Sequence, residues 1–215
     1  MENKIRDNKI FCTGLSRTGT SSLHIALLAL GISSLHYPGQ RCLSWLNGSY
    51  GPETTKRFAA YSDIPTPCFF KQLHKTHPNA YFIHTTRDVE KWADSVEKHI
   101  ANGLPSSDKT ILRDFIRLSA YGVINFERTK FIDAFYRHEE SISSYFAYEK
   151  THFLQIDLER KDMGWEKICR FLGLEPPTSR IGFPKIRTPN IGRWSAVDYQ
   201  HIDKESVEIR RQLTR

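Results

Sequence analysis

The sequence predicts an α/β fold: a central parallel sheet flanked by helices, with a helical insertion at residues 101–150. Two observations predict it. Short apolar runs at residues 9–13, 32–37, 80–86 and 153–158 alternate with stretches whose apolar positions recur every three or four residues. A glycine loop, residues 14–21, joins the first run to the first helical stretch. Such alternation places helices over both faces of a parallel sheet, and ligands of these sheets sit at the carboxyl ends of the strands. The 215 residues and their 39% hydrophobic content suit one domain, residues 1–215, with a core of ordinary size.

The elements follow in order. Residues 9–13 form a strand that stops at Gly14, and Leu23, Ala26, Leu27 and Leu30 keep helical spacing until Gly31 caps that helix. A second strand, residues 32–37, ends at Pro38-Gly39. Residues 67–77 read as a helix with Phe69, Phe70 and Leu73 on one side, and residues 80–86 as the clearest strand. Asp88 can cap the next helix, where Trp92, Val96 and Ile100 recur at four-residue spacing. Residues 104–150 are helical in pattern, residues 153–158 return to strand, and Trp165, Ile168, Cys169 and Leu172 build a helix closed by Gly173. Trp45, Trp92 and Trp165 read as core. Cys12, Cys42, Cys68 and Cys169 are scattered among apolar neighbours, so buried free thiols are expected rather than disulfides or a zinc site.

Gly14-Leu15-Ser16-Arg17-Thr18-Gly19-Thr20-Ser21 lies where a strand becomes a helix, so its N–H groups can converge on a phosphate-like group. The Gly14-x4-Gly19 spacing matches an NTP-binding P-loop, yet Thr20 stands where that motif requires Lys. A cation appears instead as Arg17, and Thr18, Thr20, Ser21 and Ser22 crowd the helix start. Arg87 ends the strand at residues 80–86 and Ser95 follows eight residues later, so both can face the same crevice as donors to a phosphate.

The segment 10–22 resembles the 5′-phosphosulfate loop of the sulfotransferases that use PAPS (3′-phosphoadenosine 5′-phosphosulfate). Arg87 with Ser95 is similar to that family's 3′-phosphate motif, and residues 186–194 to its late loop over the same phosphate. In that late loop the Arg (Arg187), second Gly (Gly192) and Trp (Trp194) are present, while Thr188 and Pro189 replace Lys and Gly. Residues 153–158 and 165–173 resemble the family's strand and "FLG" helix. The resemblance implies a P-loop NTPase-like sulfotransferase fold that moves a sulfuryl group from PAPS to a hydroxyl or amine and releases PAP. It implies nucleotide binding by Ser16, Arg17, Thr18, Gly19, Thr20, Ser21, Ser22, Arg87, Ser95, Arg187, Gly192, Arg193 and Trp194. Arg17, where many members carry Lys, would act on the bridging oxygen.

Positioning and electrostatic stabilisation dominate such a transfer, and fixed cations and N–H groups supply them, so no metal is expected. The acceptor needs a base. Asp63, in Ser62-Asp63-Ile64-Pro65, is the first candidate, although an Asp there can equally organise a turn; His36, at the end of the second strand, is the other. The remaining histidines show no metal-ligand spacing. The aromatic stretch 101–150 is the expected acceptor wall, for a small-molecule or glycan acceptor, and its aromatics serve equally as helix core.

Three rival readings compete: an ATP-Mg phosphotransferase with Asp157 as a Walker-B-like ligand, a basic nucleic-acid module, and a PAP- or PAPS-binding fold without catalysis. The missing lysine counts against the first. The formal charge of +7, from 31 Lys and Arg against 24 Asp and Glu, favours an anionic ligand. Those charges are dispersed and interleaved, so no nucleic-acid partner is expected. No apolar run approaches the ~20 residues a membrane span needs, and the first ten residues lack the apolar core of a signal peptide, so the expected location is cytoplasmic. Oligomeric state leaves no mark on the sequence.

Overall fold

The computed structural model describes residues 8–101, 111–148, 152–177 and 182–185. Five strands form one parallel sheet: β1 Ile10–Cys12, β2 Ser34–His36, β3 Ala60–Ser62, β4 Tyr81–Thr86 and β5 Phe153–Asp157, in the spatial order β2-β3-β1-β4-β5. The helices are α1 Thr20–Ala29, α2 Gly39–Leu46, α3 Pro52–Thr55, α4 Phe70–Thr76, α5 Val89–Ala101, α6 Ile111–Tyr121, α7 Arg128–Tyr145 and α8 Trp165–Leu172.

Alternation along β1 decides how the layers stack. Successive side chains of a strand point to opposite faces. Phe11 joins a cluster with Trp45, Tyr61, Phe82, Trp92 and Phe131, while Ile10 and Cys12 join Leu23, Leu27, Ile83, Ile156 and Ile168. Thus α1 and α8 cover one face, and α2, α4, α5, α6 and α7 the other. Ile10, Phe11 and Cys12 are wholly buried, as a central parallel strand requires.

The four expected strands and the glycine loop are where the sequence put them. Residues 67–77 divide into a 3-10 turn, Thr66–Phe69, followed by α4. The helical stretch 101–150 supplies α6 and α7, and α7 contributes Phe131, Ala134, Phe135 and Ile142 to the main core. Trp45 and Trp92 are fully buried; Trp165 is half-buried against Phe183. All four cysteines are free, three of them buried and Cys68 half-buried. No helix among the described residues is long and apolar enough to cross a membrane.

The strand absent from the sequence reading is β3, which separates β2 from β1 and pairs with both; the helices α2 and α3 are absent from that reading as well. The chain leaves β1 outward to β2, returns to β3, and then crosses to β4 on the far side of β1. That reversal opens a crevice above the carboxyl ends of β1, β3 and β4.

Candidate functional site

The glycine loop fills the crevice above β1. Thr13 N–H donates to the Ile83 carbonyl at 2.9 Å, which prolongs the β1·β4 ladder to the edge of the loop. A Cβ on Gly14 would lie 2.0 Å from Thr85 Oγ1 and 2.6 Å from the Thr85 carbonyl oxygen, so this position holds only glycine. The Thr18 hydroxyl donates to the Leu15 carbonyl at 2.6 Å and meets Thr85 Oγ1 at 2.8 Å, while the Trp92 indole N–H donates to the Ser16 carbonyl at 2.9 Å. Arg17 (φ 73°) and Gly19 (φ 93°) both occupy the left-handed region, which folds the loop over the start of α1. No side chain caps α1 at Gly19, so its first N–H groups face the crevice as an anion-binding terminus does.

Two cations meet at the loop. Arg17 Nε donates to Ser95 Oγ on α5 at 3.1 Å, and Arg87 Nη1 donates to the Arg17 carbonyl at 3.2 Å. Arg87 Nε is buried and has no hydrogen-bond partner among the described residues; the nearest carboxylate oxygen, of Glu159, is 4.0 Å away. A buried donor left unpaired costs free energy that an anion would recover.

The two candidate bases lie side by side because β2 and β3 pair in register, His36 opposite Ser62. Asp63 follows β3 in a left-handed conformation (φ 69°). Its Oδ1 accepts from the Ser16 hydroxyl and from the Ile64 N–H, the latter at 2.8 Å, and its Oδ2 lies 3.4 Å from His36 Nε2. His36 Nε2 also reaches Thr20 Oγ1 and Ser21 Oγ, each at 3.3 Å. Burial pushes His36 down to about 3, so it meets the carboxyl as a neutral imidazole. Burial likewise holds the Asp63 carboxyl above its usual range, against the opposing pull of the Ser16 hydroxyl, the Ile64 N–H, His99 and Arg17.

Ser16, Arg17, Gly19, Thr20, Ser21, Ser22, His36, Asp63, Arg87 and Ser95 all line one cavity of about 640 Å³. Thr18 lies beneath the loop, wholly buried. Arg187, Gly192, Arg193 and Trp194 lie outside the described residues. The cavity also takes in residues that the sequence reading left without a role: Tyr37, His99, Arg113 and Arg117 on one side, Lys161 and Lys185 on the other. The four-residue spacing of Arg113 and Arg117 was their one visible signal, since it sets both on one helix face. Among the described residues no group of three or more His, Cys, Asp or Glu is arranged to hold a metal ion.

A family model described as sulfotransferase domain matches residues 9–190. Ava biosynthesis cluster protein M of Aspergillus versicolor is 27% identical over 212 residues, covering 84% of this chain and 81% of that protein. The crystal structure of a sulfotransferase from Alicyclobacillus acidocaldarius aligns with a TM-score of 0.53 at 16% identity, over 96% of this chain and 95% of that one, a likeness of fold. The family match runs from β1 through the glycine loop, both candidate bases and Arg87 to residue 190, and the chain belongs to the sulfotransferase family.

Proposed function

We propose that this sulfotransferase takes the sulfuryl group from PAPS and passes it to a hydroxyl or amine of a small-molecule or glycan acceptor, leaving PAP. The observation that supports an anionic, phosphate-bearing donor is Arg87 Nε, a buried donor without a hydrogen-bond partner among the described residues, set beside the Arg17–Ser95 bond at the glycine loop. Arg87 and Ser95 would hold the 3′-phosphate, with Arg187, Gly192, Arg193 and Trp194 closing over it. Arg17 and the N–H groups of residues 18–22 would hold the phosphosulfate, where negative charge grows on the bridging oxygen.

In the transfer the acceptor oxygen or nitrogen bonds to sulfur as the bond from sulfur to the bridging oxygen breaks, and PAP leaves with that electron pair. The acceptor's proton goes to Asp63. Asp63 suits this role better than His36, because the same burial that raises the carboxyl's proton affinity lowers that of the imidazole. Neutral His36 then positions the carboxylate and the Thr20 and Ser21 hydroxyls.

Thermal stabilisation by PAP, by PAPS, by ATP with magnesium and by duplex DNA tests the reading. A ligand at 100 times its dissociation constant stabilises the fold by ~2.7 kcal/mol, which the first two should reach. A response to ATP with magnesium alone overturns it. Arg87→Ala should weaken PAP by about tenfold or more, and adenosine 5′-phosphosulfate, which lacks the 3′-phosphate, much less. Equal losses would give Arg87 a different role.

A further inference from the structure

Two side chains lining the cavity hold a buried polar atom that has no hydrogen-bond partner among the described residues: Arg87, by Nε, and His99, by Nδ1. The 3′-phosphate would answer the first; nothing in the proposed transfer yet answers the second. A buried nitrogen without a partner costs free energy, and a group that arrives beside it during the reaction recovers that cost.

The α5 helix sets His99 at the reacting end of the cavity. Trp92 and Ala93 turn to the core, while Ser95 and His99, four positions apart, share a face that lines the cavity. Ser95 accepts from Arg17 Nε at 3.1 Å, so His99 stands one helical turn, ~5.4 Å, farther along α5 from that contact. Asp63 follows β3, and its charge and that of His99 act on each other, while Arg17 acts on both. His99 therefore faces the space shared by the cation and the candidate base. Burial, and next the Arg17 charge, hold its proton affinity below the ordinary histidine range, against the pull of Asp63. A neutral imidazole carries one N–H to donate.

In-line displacement sets the entering atom, sulfur and the bridging oxygen on one axis, with the three sulfuryl oxygens in the plane across it. With Asp63 at the entering end and Arg17 at the leaving end, that plane falls where His99 faces. We propose that Nδ1–H of His99 donates to one of these sulfuryl oxygens during the transfer, which makes His99 a further catalytic residue. This role rests on the sulfuryl-transfer reading above. The hydrogen bond strengthens as sulfur leaves the Arg17 end, so it favours the transition state over bound PAPS. The imidazole makes and breaks no covalent bond and keeps its proton; the electron pair leaves with PAP, and the acceptor's proton goes to Asp63.

The test uses orthovanadate, which takes the five-coordinate shape of sulfur in flight, titrated by calorimetry into the full chain saturated with PAP. PAP affinity and Tm are measured alongside. His99→Leu should keep the wild-type PAP affinity and lose about tenfold to a hundredfold in vanadate affinity. His99→Asn, whose amide N–H stands where Nδ1 stood, should recover most of that loss. His99→Gln, whose amide reaches the Nε2 position instead, should not, and this pair decides the matter if the leucine variant lowers Tm. Vanadate bound equally by wild type and His99→Leu overturns the proposal. Equal vanadate affinity in the Asn and Gln variants overturns it too, by giving the imidazole a packing role. So does a loss of PAP affinity as large as the loss of vanadate, which would set His99 at the nucleotide end. A wild-type chain that binds no PAP overturns the transfer reading and this role with it, whereas PAP binding with vanadate unaffected by the variants removes His99 alone.

Discussion

Arg17 and Ser95, 78 positions apart in sequence, are joined by a 3.1 Å hydrogen bond from Nε to Oγ that ties the glycine loop to α5. The Arg87 guanidinium closes the arrangement from below through the Arg17 carbonyl. The residues proposed for the phosphosulfate and those proposed for the 3′-phosphate are therefore one mechanical unit, and a change in one displaces the other.

Ser95→Ala removes this tie and leaves Arg17 Nε without its partner. A hydrogen bond from a charged donor contributes ~1.5–3 kcal/mol, so kcat should fall by about tenfold to a hundredfold as the guanidinium loses its fixed aim. The site is half-buried and outside the core, so stability should move by less than ~0.5 kcal/mol. Steady-state kinetics with a urea titration separates the two effects. An unchanged kcat would mean that the Arg87 contact and the left-handed backbone at residue 17 hold the guanidinium without Ser95.

Gly14→Ala tests the loop from its other end. The new methyl would collide with the Thr85 carbonyl oxygen as well as with the Thr85 hydroxyl, and a backbone atom of β4 cannot swing aside as a flexible side chain does. Overpacking of this kind costs ~1–3 kcal/mol. The urea midpoint should drop with its slope unchanged, and nucleotide affinity should fall with it, because the loop cannot stay seated above β4. A midpoint equal to wild type would show that the loop relaxes freely.

The parts of this molecule that sequence made legible are those whose signal is local. Gly14 and Gly19 mark a backbone that only glycine permits or greatly favours, and the strands at β1 and β4 carry enough apolar residues to stand out. β3, Ala60, Tyr61 and Ser62, is no shorter than β1 and β2, but it has neither the apolar run of Ile10 to Cys12 nor the Pro-Gly stop that follows β2. With β3 unseen, Asp63 and His36 looked like competing candidates from separate segments. The β2·β3 register makes them neighbours. Arg113 and Arg117 were invisible for a different reason: spacing sets them on one face of α6, but only the packing of Leu112 and Ile116 into the core turns that face to the cavity.

Asp63→Asn separates catalysis from stability. Asn keeps an oxygen to accept from Ser16 and Ile64, and it tolerates the left-handed backbone at this position. The folded chain binds the Asp63 proton more tightly than the unfolded chain does, so ionising the carboxyl weakens the fold as pH rises through its raised value. Asn carries no such burden. The variant should therefore match or exceed wild-type Tm at neutral pH, and the difference should vanish in acid, where the wild-type carboxyl is protonated. His36 acts with the opposite sign. Its proton affinity is depressed from 6.5 to about 3 on folding, so the stability it contributes is present above about 6.5 and is lost, in both proteins, as pH falls toward 3. Turnover should fall by ~10²–10⁴ in the variant, and the acid limb expected of wild-type activity below the Asp63 value should be absent from the residual rate. Tm and kcat/KM measured side by side from about pH 4 to 8 decide the matter. Undiminished turnover removes Asp63 as the base, and lost turnover with a lower neutral-pH Tm marks it as a structural residue of the β3 turn.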